Sequence, residues 1–101
     1  MADLDSLIHQ PTRLRVMAAL ASLVEGERLD FTDLQMRLQL TPGNLTIHIQ
    51  KLEGAQYLAV EKIFVGRRPK TWIKATEKGR EALAQHVLAL EEIIRQETDT
   101  E

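Results

Sequence analysis

The sequence predicts a mainly α fold of the α+β class, a three-helix core carrying a small β-hairpin and followed by a long C-terminal helix. Three observations lead there. Four segments repeat apolar residues at helical spacing. The stretch from Leu58 to Ala75 switches to a strand pattern interrupted by a glycine- and proline-shaped turn. A length of 101 residues leaves room for a single domain with one core, 1–101, and a 44% apolar content is enough to fill it rather than leave the chain disordered.

Leu4, Leu7 and Ile8 have the spacing of a short helical turn before Pro11. Thr12 is placed to cap a first long helix from Arg13 to about Glu25, with Leu14, Met17, Ala18 and Ala21 as its stripe and Glu25-Gly26-Glu27 as its stop. Val16, Leu20, Leu23 and Val24 widen that apolar surface. Arg28-Leu29-Asp30 is too short for more than a bridging strand. Asp30, with Asp33 three residues on, opens a second helix to about Leu38 whose core face is Leu34 and Leu38.

Thr41-Pro42 is a strong start signal, a hydroxyl cap followed by proline in the first helical position. The third helix, about residues 42–54, buries Leu45, Ile49 and Leu52. At about 100° per residue this turns Gly43, Thr46, Ile47 and Gln50 outward, with Asn44 and Lys51 at the edges. Leu58 to Val65 reads as a strand, Gly66-Arg67-Arg68-Pro69-Lys70 as a turn and Thr71 to Ala75 as the returning strand. Thr76 caps the last helix, in which Leu83, Val87, Leu90 and Ile94 recur at spacings of four, three and four before a polar tail from Gln96. Leu88 and Ile93 flank a stripe already wider than a monomer of this size needs, so the first and last helices, 1–25 and 76–97, are expected to form a homodimer.

Charge is divided along the chain. The net charge is −2, yet residues 41–75 carry six basic groups against Glu53 and Glu61. An acidic body with one basic segment is what a local phosphate-facing surface produces. Two short helices, a tight turn and a basic-tipped hairpin make a winged helix-turn-helix. Its outward helix face holds amides for bidentate base contacts, a hydroxyl, and an aliphatic group suited to a thymine methyl. Gly43 lets the helix N-terminus beside Thr41 approach a phosphate closely. Arg67, Arg68 and Lys70 have no acidic neighbours in the local sequence, and three cations at the wing, 65–70, exceed what solubility requires.

Several classes are excluded. Cysteine is absent, which removes disulfide scaffolds, zinc knuckles and thiol catalysis. The apolar runs fall far short of the roughly 20 residues of a membrane span. The acidic start Met1-Ala2-Asp3-Leu4-Asp5 lacks the basic region of a signal peptide, so a cytoplasmic protein without a membrane partner is expected. His9, His48 and His86 are far apart in sequence, and His86 with Glu81 or Glu91 is a weak metal pair. His48 is expected to be packed or backbone-bonded. No catalytic triad or phosphate loop stands out, so neither an enzyme, a cofactor nor a metal site is expected. Trp72 points away from Ile73, toward a dimer partner or a sugar-phosphate.

The strings from His9 to Met17, Phe31-Thr32-Asp33-Leu34, Pro42 to Glu53, Gly66 to Thr71 and Thr76-Glu77-Lys78-Gly79-Arg80 resemble, in order, winged-helix regulators of the MarR/ArsR-like superfamily. The resemblance spans about residues 4–95 and is nearest to its small single-domain group. It implies a homodimeric transcriptional regulator on a pseudo-palindromic double-stranded DNA operator, the third helix in the major groove and the hairpin as wing. It does not specify a small-molecule effector. Two positions depart from the pattern. Gln56 stands where glycine usually precedes the aromatic, and a non-glycine in a left-handed exit costs roughly 1 kcal/mol, so the helix is expected to end at Gly54. Ala75 replaces a customary leucine. The alternative reading is a winged-helix module for protein contacts alone, which calls for an apolar outward helix face.

Overall fold

Caps and apolar faces set the elements of the computed structural model, which describes residues 3–24 and 26–99. They are α1 (Pro11–Ala21), β1 (Leu29–Asp30), α2 (Phe31–Leu38), α3 (Pro42–Gly54), β2 (Leu58–Val65), β3 (Arg68–Ala75) and α4 (Glu77–Asp99). Met1, Ala2 and Glu25, which entered the expected acidic start and helix stop, lie outside the described residues, as do Thr100 and Glu101. The first three helices close around Val16, Met17, Leu20, Leu34, Leu45 and Leu52, all with no exposed surface. Ile73 and Leu58 bring the antiparallel sheet, ordered β1-β3-β2, against the same core.

The α2 and α3 caps are those the sequence predicts: Asp30 accepts the Asp33 N–H at 2.8 Å and Thr41 accepts that of Asn44 at 3.2 Å. Helix α1 differs at both ends. Pro11, whose fixed φ suits a first helical position, starts it, and Gln10 rather than Thr12 caps it by accepting the Arg13 N–H at 2.8 Å. It stops at Ala21 because the Arg80 guanidinium of α4 takes the carbonyls of Ala21 (3.1 Å) and Leu23 (3.3 Å), partners a continuing helix would have consumed. Its buried face is also rotated from the expected stripe: Val16, Met17 and Leu20 are buried and Ala18 is exposed.

The hairpin is longer and its turn tighter than expected. Arg68, Pro69 and Lys70 belong to β3, and Val65 pairs with Arg68 across the two-residue turn Gly66-Arg67. Gly66 takes φ 65° and Arg67 does not follow it, the primed-turn pattern that matches strand twist. At the other end of the chain the tail does not fray at Gln96: α4 continues to Asp99.

Two joints hold α4 to the body. At the first, Thr76 donates its backbone N–H to the Tyr57 carbonyl (3.0 Å) and its hydroxyl to the Gln56 carbonyl (2.7 Å). The same hydroxyl accepts the Gly79 N–H at 2.9 Å, capping α4 as the sequence predicts. Gly79 is buried there, and a β-carbon on it would stand 2.9 Å from the Tyr57 carbonyl carbon and closer still to its oxygen. At the second joint, Asp5 accepts the N–H groups of Leu7 (2.9 Å) and Ile8 (3.1 Å) and the Tyr57 hydroxyl (2.5 Å). The Asp5 backbone N–H donates to Nδ1 of the fully buried His86 at 3.0 Å. Burial acts upward on the Asp5 carboxyl, but the hydrogen bonds from Tyr57, Ile8 and Leu7 and the nearby His86 outweigh it and hold the group below its usual range. The Asp5 hydrogen bond, with burial, lifts the Tyr57 hydroxyl to about 12. Burial, aided by neighbouring His9, pushes the His86 imidazole down despite Asp5.

Two outcomes are expected. Gly79→Ala forces backbone apart at the first joint and costs at least about 3 kcal/mol, read as a fall in the urea midpoint. A depressed imidazole means that the unfolded chain binds a proton the folded chain refuses, so the His86 contribution is complete above pH 6.5 and declines as pH falls through that value. Denaturation midpoints should therefore drop from pH 7.5 to pH 5.5, and His86→Gln, which cannot titrate, should reduce the drop to the part left by His48, whose imidazole is also pushed down. Asp5 remains ionised in both states over that window and does not contribute to the slope.

Candidate nucleic-acid interface

Helix α3 divides as its sequence requires. Leu45, Ile49 and Leu52 are buried, while Thr41, Gly43, Asn44, Thr46, Ile47, Gln50 and Lys51 are all exposed, Ile47 at 51%. The Thr46 hydroxyl donates to the Pro42 carbonyl at 2.8 Å, which leaves its oxygen free to accept. Gln50 projects over a groove of about 290 Å³ shared with Thr46, Glu53, Lys62 and Thr71. The outward face of α3 and one face of the wing therefore form one surface. Lys62 belongs to the basic segment but was not among the residues singled out from sequence. Its place follows from strand alternation with Val60, whose register partner Ile73 is buried.

The exit of α3 keeps a local strain. The helix does end at Gly54, yet Gln56 still takes φ 65°. The conformation persists because the Tyr57 N–H must reach the Leu52 carbonyl (2.9 Å) and the Gln56 N–H that of Glu53 (2.8 Å), closing the helix end. Ala75 is 7% exposed and packs in the core.

Arg67 and Arg68 stand exposed at the wing tip, and neither makes an ion pair or a side-chain hydrogen bond within the described residues. Lys70 is different. It is half-buried, 3.5 Å from the Asp30 carboxylate, and its ammonium lies 4.6 Å from the Trp72 ring centre. Local sequence offers it no acid, but β1 delivers one from forty residues upstream by pairing Asp30 with Trp72. Asp30 is held below the usual carboxylate range, first by the Asp33 N–H and, against burial, by Lys70. Trp72 does point away from Ile73, and it packs under Arg28, whose guanidinium lies 4.3 Å from the ring centre and 3.2 Å from Glu61. The charges on this face of the sheet are paired with one another, while the buried indole N–H of Trp72 has no hydrogen-bond partner among the described residues.

The histidines were also placed only by the fold. His48 is half-buried, and its polar partner is a side chain and not the backbone: its Nδ1 accepts from the Arg13 guanidinium at 3.3 Å, and Arg13 also donates to the Leu7 carbonyl at 2.6 Å. Burial, then Arg13 and Lys51, push the His48 imidazole down. His9 and His86, far apart in sequence, bring their rings within 5.4 Å. Among the described residues no three histidine or carboxylate side chains gather to hold a metal. No helix among them is long and apolar enough to cross a membrane.

On α4, Val87 (42%) and Ile94 (65%) are exposed and Leu83 and Leu90 half-buried. Leu83, Val87 and Leu88 line an apolar groove of about 480 Å³ with Ala21 of α1.

This architecture matches known proteins. The family model described as the winged helix DNA-binding domain matches residues 12–94. An uncharacterized protein of Methanocaldococcus jannaschii is 35% identical over 81 residues, 80% of this chain and 85% of that one. The transcriptional regulator homologue protein from Pyrococcus horikoshii OT3 superposes with a TM-score of 0.79 at 30% identity, over 93% of this chain and 89% of that one. AbsC, a MarR family transcriptional regulator from Streptomyces coelicolor, shares the fold with a TM-score of 0.60 at 23% identity, over 76% of this chain and 53% of its own. The chain belongs to the winged helix DNA-binding domain family and has the fold of MarR-family transcriptional regulators.

Proposed function

We propose that this DNA-binding regulator acts as a cytoplasmic homodimer that reads a double-stranded, pseudo-palindromic operator, and that it is not an enzyme. The observation that carries the reading is the exposed, amide- and hydroxyl-bearing face of α3, Asn44, Thr46 and Gln50 around Ile47, which shares one groove with the wing. In this reading α3 enters the major groove, where Asn44 and Gln50 hydrogen-bond base edges and Ile47 meets a thymine methyl. Thr41 and Gly43 at the helix start, with Lys51 beyond, lie against phosphates. Arg67 and Arg68 take the phosphates or the minor groove beside it. Lys70, held by Asp30, orients the wing as much as it contacts DNA.

A dimer supplies two such helices. The exposed Val87 and Ile94, in line with Leu83 and Leu90 and beside the α1 groove, support a subunit contact through α1 and α4. Two-fold symmetry then sets half-site centres about one helical turn, roughly 10 bp, or a multiple apart.

Two experiments test this. Binding of Arg67→Ala/Arg68→Ala and of Gln50→Ala should be measured on selected and random duplexes at several salt concentrations. The arginine pair should weaken both duplexes and reduce the salt slope by about one per lost contact. Gln50→Ala should lose about 1–3 kcal/mol on the selected duplex and little on the random one. Wild-type protein with no DNA affinity at low salt would instead favour a protein-contact module. Sedimentation at micromolar concentration should give a dimer, and Leu90→Glu/Ile94→Glu a monomer near 11.5 kDa with poor DNA binding. A wild-type monomer would remove the two-fold operator from the reading.

A further inference from the structure

The most exposed large apolar side chain near the basic tip is Phe64, at 74%, next to Val65 at 58%. Neither is needed by the core. Phe64 pairs with Pro69 one step behind the turn. Because Val65 and Arg68 flank a two-residue turn, Phe64 and Pro69 are a non-hydrogen-bonded pair, whose side chains stand closest across a hairpin. A cross-strand contact of this kind is a purely structural reason for an aromatic. It is insufficient here, since Phe64 remains 74% exposed beside Pro69.

What surrounds the ring identifies what would cover it. Alternation puts Phe64 on the face of β2 that carries Lys62, and Lys62 lines the groove shared with Gln50 of α3. At the turn beyond the ring is Arg67, a cation without an intramolecular partner in the described residues, while Arg68, paired with Val65, stands on the opposite face of the hairpin. A flat apolar surface with Lys62 on its own face and Arg67 at the adjoining turn, on the side of the wing next to the reading helix, complements a polyanion with apolar interior surfaces. Duplex DNA has that character in its minor groove, where deoxyribose rings and base-step edges lie between two phosphate rows.

We propose that Phe64, backed by Pro69, is an apolar minor-groove contact that packs on deoxyribose and opens a base step beside the wing. It rests on the DNA-binding reading above and adds a sequence preference to it. Opening a step is least costly at flexible pyrimidine–purine steps and most costly in stiff A-tracts, so Phe64 selects deformable DNA without hydrogen-bonding any base. The backing suits this role. Proline's fixed φ and the paired strands keep the ring from folding away.

The test compares wild type, Phe64→Ala and Phe64→Leu on duplexes that place either a TA step or an A-tract at the wing position, over a range of salt. Phe64→Ala should bind the TA duplex about tenfold more weakly, with the salt slope unchanged because no counterion release is lost. The wild-type preference for TA over the A-tract should disappear in Phe64→Ala and survive in part in Phe64→Leu. A 2-aminopurine at the step should brighten with wild type and not with Phe64→Ala. Thermal melting of both variants should match wild type, as expected for a side chain outside the core. Equal affinity of Phe64→Ala and wild type, or a changed salt slope, overturns the proposal while leaving the DNA reading intact. So does conversion of Phe64→Ala to a monomer in sedimentation, which would assign the ring to a subunit contact. Wild type that binds neither duplex at low salt defeats the DNA reading itself.

Discussion

The close approach of α4 to the Tyr57 carbonyl at Gly79 is the constraint on which the rest of the arrangement depends. Within four residues Thr76 ends β3, caps α4 and binds the backbone that leaves α3. The helix proposed to read bases and the helix proposed to hold the partner subunit are thus fixed to each other through main chain, with no flexible link. The strained φ of Gln56 belongs to the same joint. A glycine there would relieve the local conformation, but the joint needs the carbonyl positions, and these tolerate glutamine. Arg80, one residue beyond Gly79, extends the connection by ending α1.

A second, polar line of contacts runs parallel to that joint. His86 of α4 holds the Asp5 N–H, the Asp5 carboxylate holds Tyr57, Arg13 holds the Leu7 carbonyl, and Arg13 reaches His48 of α3. Both histidines accept through Nδ1 and both are pushed toward their neutral forms. Each contact is modest in net worth, about 0.5–1.5 kcal/mol. Their effect is to orient the segment before Pro11, which the hydrophobic core touches chiefly through Ile8.

Most of this fold was legible in the sequence because its elements are defined locally. Thr41-Pro42, Asp30 with Asp33, Thr76 and the Leu45-Ile49-Leu52 stripe each specify a cap or a buried face without help from distant residues, and each is found as read. The outward residues of α3 were legible for the same reason, since they are the complement of that stripe. What was missed came from contacts across long separations. Ala21 ends α1 because of Arg80, Lys70 finds an acid because β1 pairs with β3, and His48 meets Arg13 rather than a backbone group. The wing boundary differs from the sequence expectation because Pro69 reads locally as a turn residue but lies in β3. In an antiparallel hairpin a proline is tolerated wherever its missing N–H faces away from the partner strand.

That orientation of Pro69 has a consequence for how the protein behaves at high concentration. Strand β1 covers β3 only at Trp72 and Ile73, so from Arg68 to Thr71 the outer edge of β3 is an open ladder. An exposed ladder beside an uncovered phenylalanine is a template for strand pairing between molecules. Proline removes one donor from the middle of this edge, and the charged Arg68 and Lys70 flank it. The wing therefore presents an apolar ring to its surroundings on a strand edge whose missing donor and flanking charges disfavour backbone pairing with another copy.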